Sequence, residues 1–423
     1  MPKVEPLSRL NLISDSKRII MDAKDKKIDD NLNRRDFCAS IAAVAVTSPA
    51  GMTGLNLIND NVPHASSLVS AAVSETSHQI FFEAAQNMEH VKTASVDLVV
   101  TSPPYPMIEM WDGIFSSQNA DVGTALKKDP MSAFEFMHRE LDKVWAECFR
   151  TLKDGGFLCI NIGDATRSIN KEFQLYNNHS RVVSSCLKIG FENLPNIIWR
   201  KQTNAPNKFM GSGMLPCGAY VTLEHEWILV FRKRGKRIYK LDRDKALRRS
   251  SAFFWEERNK WFSDLWEIKG VKQTIVNSQT RERNASFPLE IPFRLVNMYS
   301  QMGDTVLDPF MGMGTTLVAS MLSGRNSIGF EIDKGLRSTI EDFVDNIDTK
   351  LMKRFVVDRF NAHLAFVEER ISLGKTVKYT NKKLNCKVMT SQETDIELVV
   401  PIRVNKTKGD IFSRRCFYQS FKI

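Results

Sequence analysis

Val306 to Thr316 reads as a strand that runs into a glycine-rich turn and then the start of a helix. A second strand, Asn326 to Phe330, follows and ends at Glu331. A strand, a crossing helix and a second strand in so short a span belong to a parallel sheet with helices on its faces. The glycines at 312 and 314 permit positive φ and let backbone approach a ligand closely. Such a turn, at the carboxyl end of a parallel strand, is where α/β sheets hold nucleotides. Glu331 stands 23 residues beyond Asp308, placed to accept hydrogen bonds from both hydroxyls of a ribose. The turn lacks the GxGxxG spacing of a pyrophosphate cradle and opens on Asp308-Pro309-Phe310. A carboxylate there suits a cofactor with a cationic amino-acid end, and it counts against a nicotinamide dehydrogenase.

From about residue 78 the chain alternates short apolar runs with helical stretches. Ile80 to Phe82, Val96 to Val100, Phe157 to Ile162, Ile197 to Arg200, Trp227 to Phe231, Thr305 to Leu307 and Asn326 to Phe330 read as strands. Phe134 to Leu152, Arg181 to Ile189, Leu289 to Met298, Thr315 to Leu322 and, with breaks, Leu336 to Leu373 read as helices. The last ninety or so residues end in a polar, strand-like tail without a readable motif. Residues 1–75 read as a helical extension. Within them Asn33-Arg34-Arg35-Asp36-Phe37, an apolar stretch to Val46 and Ser48-Pro49-Ala50 imitate a twin-arginine export signal. A helix capped by Asn33 explains the same letters.

Asp97 to Val100 is an apolar strand that stops at Thr101-Ser102-Pro103-Pro104-Tyr105. Prolines fix φ and remove N–H donors, which leaves rigid carbonyl acceptors. Ser102 Oγ and the Pro103 carbonyl can together accept from one exocyclic –NH2, drawing it out of ring conjugation, and Tyr105 offers a face for a flipped base.

Thr101 to Tyr105 and Asp308 to Thr316 resemble the catalytic and cofactor motifs of the DNA amino-methyltransferases. The order, catalytic motif first, resembles the β class, common in restriction–modification systems. Ser-Pro-Pro-Tyr resembles its N4-cytosine branch, whereas adenine enzymes usually carry Asp or Asn at the first place. The resemblance covers residues 78–333. It implies a Rossmann-like, S-adenosylmethionine-dependent methyltransferase fold: a mixed seven-stranded sheet in circularly permuted motif order, with helical extensions. It further implies cofactor contacts from Thr101, Asp308, Pro309, Phe310, Gly312, Gly314, Thr315, Thr316 and Glu331. Phe287 and Pro288 match the element beside the methionine part. Glu83 stands where the family usually has the acid of a Gly-Asp pair that contacts adenine, though the glycine is missing. The divisions that follow are 1–75, a catalytic half 76–231, a target-recognition region 232–275, a cofactor half 276–335 and an extension 336–423.

A formal charge of +10 points to a polyanionic partner. Arg232 to Arg249 carries ten Lys/Arg against two Asp. Arg232, Lys233, Arg234, Lys236, Arg237, Arg248 and Arg249, with Tyr239 and Phe253-Phe254-Trp255, are therefore expected to anchor phosphates and reach base edges of double-stranded DNA. The loop Pro106 to Ala125 is expected to close over a flipped base. Seven cysteines without a CxxC pair or a His/Cys cluster fit reduced core thiols in a cytosolic protein and give no reason to expect a metal. No apolar run approaches the roughly 18 residues that span a bilayer. Pro216-Cys217 superficially matches the nucleophile of C5-cytosine enzymes, but those need a Pro-Cys-Gln context and another motif order. The expected activity is methyl transfer to cytosine N4, in functional partnership with a cognate restriction endonuclease. N6-adenine methylation and a catalytically silent DNA binder on the same fold are the alternatives. Target sequence and oligomeric state are not readable.

Overall fold

A computed structural model of the chain describes residues 72–201, 210–270, 287–407 and 412–422. The export-like motif and nearly all of the N-terminal extension lie outside the described residues. The first half opens with β1 (Glu75–Phe81) and β2 (Val96–Thr101), then three helices, α1 (Asp112–Gln118), α2 (Asp121–Lys128) and α3 (Pro130–Thr151). Next come β3 (Leu152–Ile162), the hairpin β4 (Ala165–Ile169) and β5 (Glu172–Tyr176), and α4 (Asn178–Ile189). Strands β6 (Phe191–Asn193), β7 (Ile197–Arg200), β8 (Met210–Gly211), β9 (Ala219–Tyr220) and β10 (His225–Lys233) lead to α5 (Asp242–Ser250), α6 (Trp255–Trp261) and β11 (Leu265–Glu267). The second half holds α7 (Glu290–Tyr299), β12 (Thr305–Asp308), α8 (Thr315–Leu322) and β13 (Asn326–Phe330). It ends with α9 (Arg337–Asp345), α10 (Thr349–Ser372), the pair β14 (Tyr379–Asn381) and β15 (Cys386–Val388), then β16 (Val399–Lys406) and β17 (Phe412–Ser420).

Each α/β unit forms for local reasons. Asp129 caps α3 by accepting from Ser132 N at 3.2 Å and Ser132 Oγ at 2.7 Å, and Pro130 fills the first turn, where a missing N–H costs nothing. Phe134, Met137, Leu141, Val144, Trp145 and Cys148 then make one buried stripe. On β2 the side chains alternate: Leu98 and Val100 enter the core under α7 and α8, and Val99 enters the core under α3 and α4. The sheet is thus covered on both faces, as a parallel sheet requires.

The sheet runs β11-β7-β10-β3-β2-β12-β13-β1-β17-β16, with β6 also paired to β10. Strands β3, β2, β12, β13 and β1 are parallel, and β10, β7 and β17 join antiparallel. The mixed sheet and the permuted order are those expected. Its size is not: eleven strands replace the seven. Two of the four added strands, β6 and β11, lie on the β10 side, and two, β16 and β17, come from the chain beyond residue 336, whose β17 pairs with β1 and whose Phe412, Cys416 and Tyr418 enter the central core. The region 106–125, expected as a loop, folds instead into α1 and most of α2, with Phe115 and Val122 buried.

Between β2 and β12 the winding reverses. Strand β2 leads through α3 to β3 on one side, and β12 leads through α8 to β13 on the other. At the amino ends of these two strands the register is clamped by charge. Arg237 donates to both carboxylate oxygens of Asp304 (2.6 and 3.0 Å) and lies 3.4 Å from Asp97. Asp97 also takes Lys153 Nζ at 2.9 Å and the Thr305 amide at 3.0 Å. Both aspartates are buried. Removing the cation would leave one carboxylate buried without its ion partner, which costs several kcal/mol in a closed interior and less for a guanidinium that is 32% exposed. Arg237→Ala should therefore lower unfolding stability by about 2 kcal/mol, read as a shift of the urea midpoint. An unshifted midpoint would show that the clamp is decorative.

Candidate active site

The reversal point brings the two sequence motifs together. Thr101 Oγ1, at the carboxyl end of β2, donates to Asp308 Oδ1 at the end of β12 over 2.6 Å, and the Phe310 amide donates to the same oxygen at 3.1 Å. Crevices at such reversals are where open α/β sheets bind ligands. Asp308 is buried, and burial pushes its carboxyl up to about 6, against the lowering pull of the Thr101 hydroxyl.

The turn beyond it is built from left-handed backbone. Gly312 has φ +52° and Gly314, which caps α8, has φ +88°. A Cβ on Gly312 would meet nothing within 4 Å, so the turn faces open space. Glu331 closes the far side by accepting from the Gly312 amide (3.0 Å) and the Asp333 amide (2.7 Å), while its own amide donates to Phe81 O (3.0 Å). Burial raises its carboxyl as well. Each of its oxygens is oriented by a backbone amide and keeps a lone pair for a further donor.

Pro309 and Phe310 cross from strand to turn, with the Phe310 ring edge-on to Trp145 at 6.0 Å. Thr315 and Thr316 form the first turn of α8, with Thr316 buried. Phe287 and Pro288 are buried at the start of α7, where Pro288 O accepts from Ile291 N at 3.0 Å. Helix α7 packs on β2 and β3. Glu83 reaches the same end of the sheet just after β1. It is half exposed, lies 3.5 Å from His90 Nε2, and lines a hollow of about 310 Å³ with Phe82, Lys334 and Arg337.

The tetrapeptide sits over a polar network that was not anticipated as part of the site. Tyr105 is buried, and its hydroxyl donates to Glu226 Oε2 at 2.9 Å. Asn161 Nδ2 donates to the Tyr105 hydroxyl (2.8 Å) and to Glu226 (2.7 Å), and it lies 3.4 Å from Ser102 Oγ. Ser102 Oγ is 3.1 Å from the Tyr105 hydroxyl. Lys201 pairs with the other Glu226 oxygen and sits 4.5 Å over the Trp199 ring. Burial and then the Glu226 charge hold the Tyr105 phenol well above its ordinary range, so it stays protonated. Asn161 Oδ1 is buried and has no hydrogen-bond partner among the described residues. Pro103 is buried and Pro104 half-buried beside them. Asn161 and Glu226 each had a signal in the sequence: a polar residue in the apolar run Phe157 to Ile162, and an acid at the mouth of the run to Phe231.

The basic segment is where the expectation needs correcting. Strand β10 is antiparallel to β3, so its carboxyl end lies at the amino ends of the parallel strands. Roughly 15–20 Å of strand separates that end from the tetrapeptide. Arg232 is engaged by Glu192 (Nε at 3.0 Å), and Lys233 is buried, donating to Leu152 O at 2.7 Å. Arg237 belongs to the charge clamp. These three hold the fold rather than offer themselves to a polyanion. Arg234, Lys236 and Arg249 are exposed, and Arg248 stacks on Tyr239 at 4.5 Å, all at the same far end. Nearer the tetrapeptide, Lys127 and Lys128 line an open hollow of about 1000 Å³ that reaches Met107, together with Arg167, which is held by Asp112 at 2.7 Å.

Among the described residues no cluster of His, Cys, Asp and Glu could hold a metal, and no helix is long and apolar enough to cross a membrane. The family model described as DNA methylase, N6_N4_Mtase, matches residues 96–342. The Type II methyltransferase M.MthZI of Methanothermobacter thermautotrophicus is 48% identical over 348 residues, 82% of this chain and 96% of that protein. M.MjaI of Methanocaldococcus jannaschii is 48% identical over 298 residues, 68% of this chain and 97% of its own length. Among solved structures, TTHA0409 of Thermus thermophilus, complexed with S-adenosyl-L-methionine, is 32% identical with a TM-score of 0.48, covering 63% of this chain and 93% of that one. A narrower likeness to the BamHI modification methylase, which length and motif order invite, is not confirmed. The match over more than half of the chain makes it a member of the N6/N4 DNA methylase family.

Proposed function

We propose that this DNA methyltransferase transfers a methyl group from S-adenosylmethionine to the N4 amine of cytosine in double-stranded DNA. The observation that carries the reading is the hydrogen bond from Thr101 to Asp308, which sets the tetrapeptide and the acidic glycine turn side by side. The residues fit such a cofactor. Asp308 offers a buried carboxylate to a cationic amino-acid end, the Gly312 turn leaves room for a ligand against backbone, and Glu331 offers two oriented oxygens to a ribose. When bound, the cofactor supplies an electrophilic methyl on a cationic sulfur. The rest is positioning by the chain. Ser102 Oγ and the Pro103 carbonyl accept from the amine and turn its lone pair outward, and the Tyr105 ring steadies the base. Phe287 and Pro288 wall the methionine part, with Thr315, Thr316 and Phe310 behind the turn and Glu83 toward the adenine. A serine rather than an acid at 102 favours cytosine over adenine. With the segment 232–249 at the far end of the sheet, a DNA backbone passing the tetrapeptide would meet Lys127 and Lys128 first. A cognate restriction endonuclease would be the functional partner.

Transfer of labelled methyl to duplex DNA, followed by nucleoside digestion and mass analysis, tests this directly. N4-methylcytosine is expected, N6-methyladenine would overturn the base assignment, and no incorporation would favour a silent binder. Ser102→Ala should lower turnover about 100-fold with cofactor affinity nearly unchanged. An equal loss of both would sink its role. Asp308 gives a second test. Its folded-state carboxyl, at about 6, lies above the unfolded value, so the folded protein holds the proton more tightly. Stability then falls as pH rises from about 4 to about 6, and the ionised form costs up to about 3 kcal/mol at pH 7. Asp308→Asn should accordingly melt higher than the parent at pH 7 but not at pH 4, while losing cofactor binding by calorimetry. A variant that melts lower at both pH values would refute this trade.

A further inference from the structure

Methylating an exocyclic amine creates a proton to be disposed of, because nitrogen that has taken a methyl while keeping two hydrogens is a strong acid. Resting on the function proposed above, the question is which group of this chain receives it. Ser102 is a neutral hydroxyl and cannot keep a proton. The hydrogen bonds beneath it have a direction. The Tyr105 hydroxyl donates to Glu226 at 2.9 Å and accepts from Asn161 Nδ2 at 2.8 Å. With its single hydrogen spent on Glu226, Tyr105 can only accept from Ser102 across their 3.1 Å contact. The Ser102 hydrogen therefore points down the chain, and its lone pairs face the amine.

We propose that Ser102, Tyr105 and Glu226 form a proton relay that carries the proton of the target amine to the Glu226 carboxylate. The amine lone pair forms the new N–C bond, and the pair of the broken C–S bond stays on sulfur, which becomes a neutral thioether. One N–H proton passes to Ser102 Oγ, the serine proton to Tyr105 Oη, and the tyrosine proton to Glu226, which ends as a neutral acid. Charge balances: one positive charge leaves the sulfur and one proton neutralises one carboxylate. Asn161 Nδ2 contacts all three partners and holds the wire in register. The groups of ionisable type that contact Glu226 are Lys201, after β7, and Tyr105. The neighbouring His179 is closed on Asp164 at 2.7 Å, and Glu224 faces Arg200. Lys201 sits against the second carboxylate oxygen and, at 37% exposed, marks the exit to water. Glu226 touches no substrate atom and acts only through Tyr105.

Glu226→Gln keeps a carbonyl to accept from Tyr105 but cannot take a proton. Single-turnover methylation at saturating cofactor should fall about 100-fold. Cofactor affinity by calorimetry and DNA affinity by anisotropy should stay within about twofold, which a merely structural role would not predict. Tyr105→Phe keeps the ring and the Glu226–Lys201 pair while cutting the wire. It should show the same loss, and the two substitutions combined should cost little more than either. If Glu226→Gln melts far below the parent, Tyr105→Phe alone decides. A parent-like rate in Tyr105→Phe, or fully additive losses in the double variant, would overturn the relay. A parent protein that methylates no DNA would overturn the function itself. A parent that methylates while both variants are indifferent overturns only the relay.

Discussion

The structure turns on the hydrogen bond between Thr101 and Asp308, residues 207 positions apart that meet where the winding of the sheet reverses. That meeting depends on strand register. Val306 pairs with Leu98 and Leu307 with Val99, and a slip of one residue would send every side chain of β2 to the opposite core. With the register fixed, the chain leaves both strands at the same level, and both motifs open into one crevice.

The two ends of these strands handle buried charge in opposite ways. At the amino ends, Asp97 and Asp304 face Arg237 and Lys153, and these ion pairs hold the register and oppose the burial that raises the Asp304 carboxyl. At the carboxyl ends, Asp308 and Glu331 have only hydroxyl and amide donors in the contacts described, and burial raises both. Desolvation works against the charged form of each, and no cation offsets it among the contacts described. The imbalance makes the carboxyl end the place where a cationic ligand gains most.

Much of this was legible beforehand. The strands ending at Thr101, Asp308 and Phe330 and the stripe of α3 follow from local pattern, because a parallel strand buried on both faces reads as a continuous apolar run. Direction is legible only through the resemblance, in which Glu224 to Phe231 matches the family's antiparallel late strand, as β10 is. The local pattern does not show what the inversion does to the basic segment: it carries Arg232 and Arg237 into structural ion pairs and Lys233 onto the Leu152 carbonyl, away from the crevice. The same inversion brings the amino end of β10, with Glu226, into the site. A density of positive charge marks a polyanion surface only once the end of the sheet it occupies is known. The chain beyond residue 336 was opaque for a related reason: β17 gains its place from pairing with β1, more than 300 residues away.

On the proposed reading, the serine at 102 changes where negative charge sits. An acid at that place would set its carboxylate against the amine itself. Here the first contact is neutral, and the charge lies two hydrogen bonds deeper, on Glu226, opposed by Lys201. A neutral acceptor can align the amine without a full charge close to the cationic sulfur, whose attraction to a carboxylate would otherwise compete with alignment. The buried phenol of Tyr105, held protonated, keeps the two charges apart while joining them by hydrogen bonds. Alignment and charge are therefore divided between two residues, and Asn161 matters because it touches both.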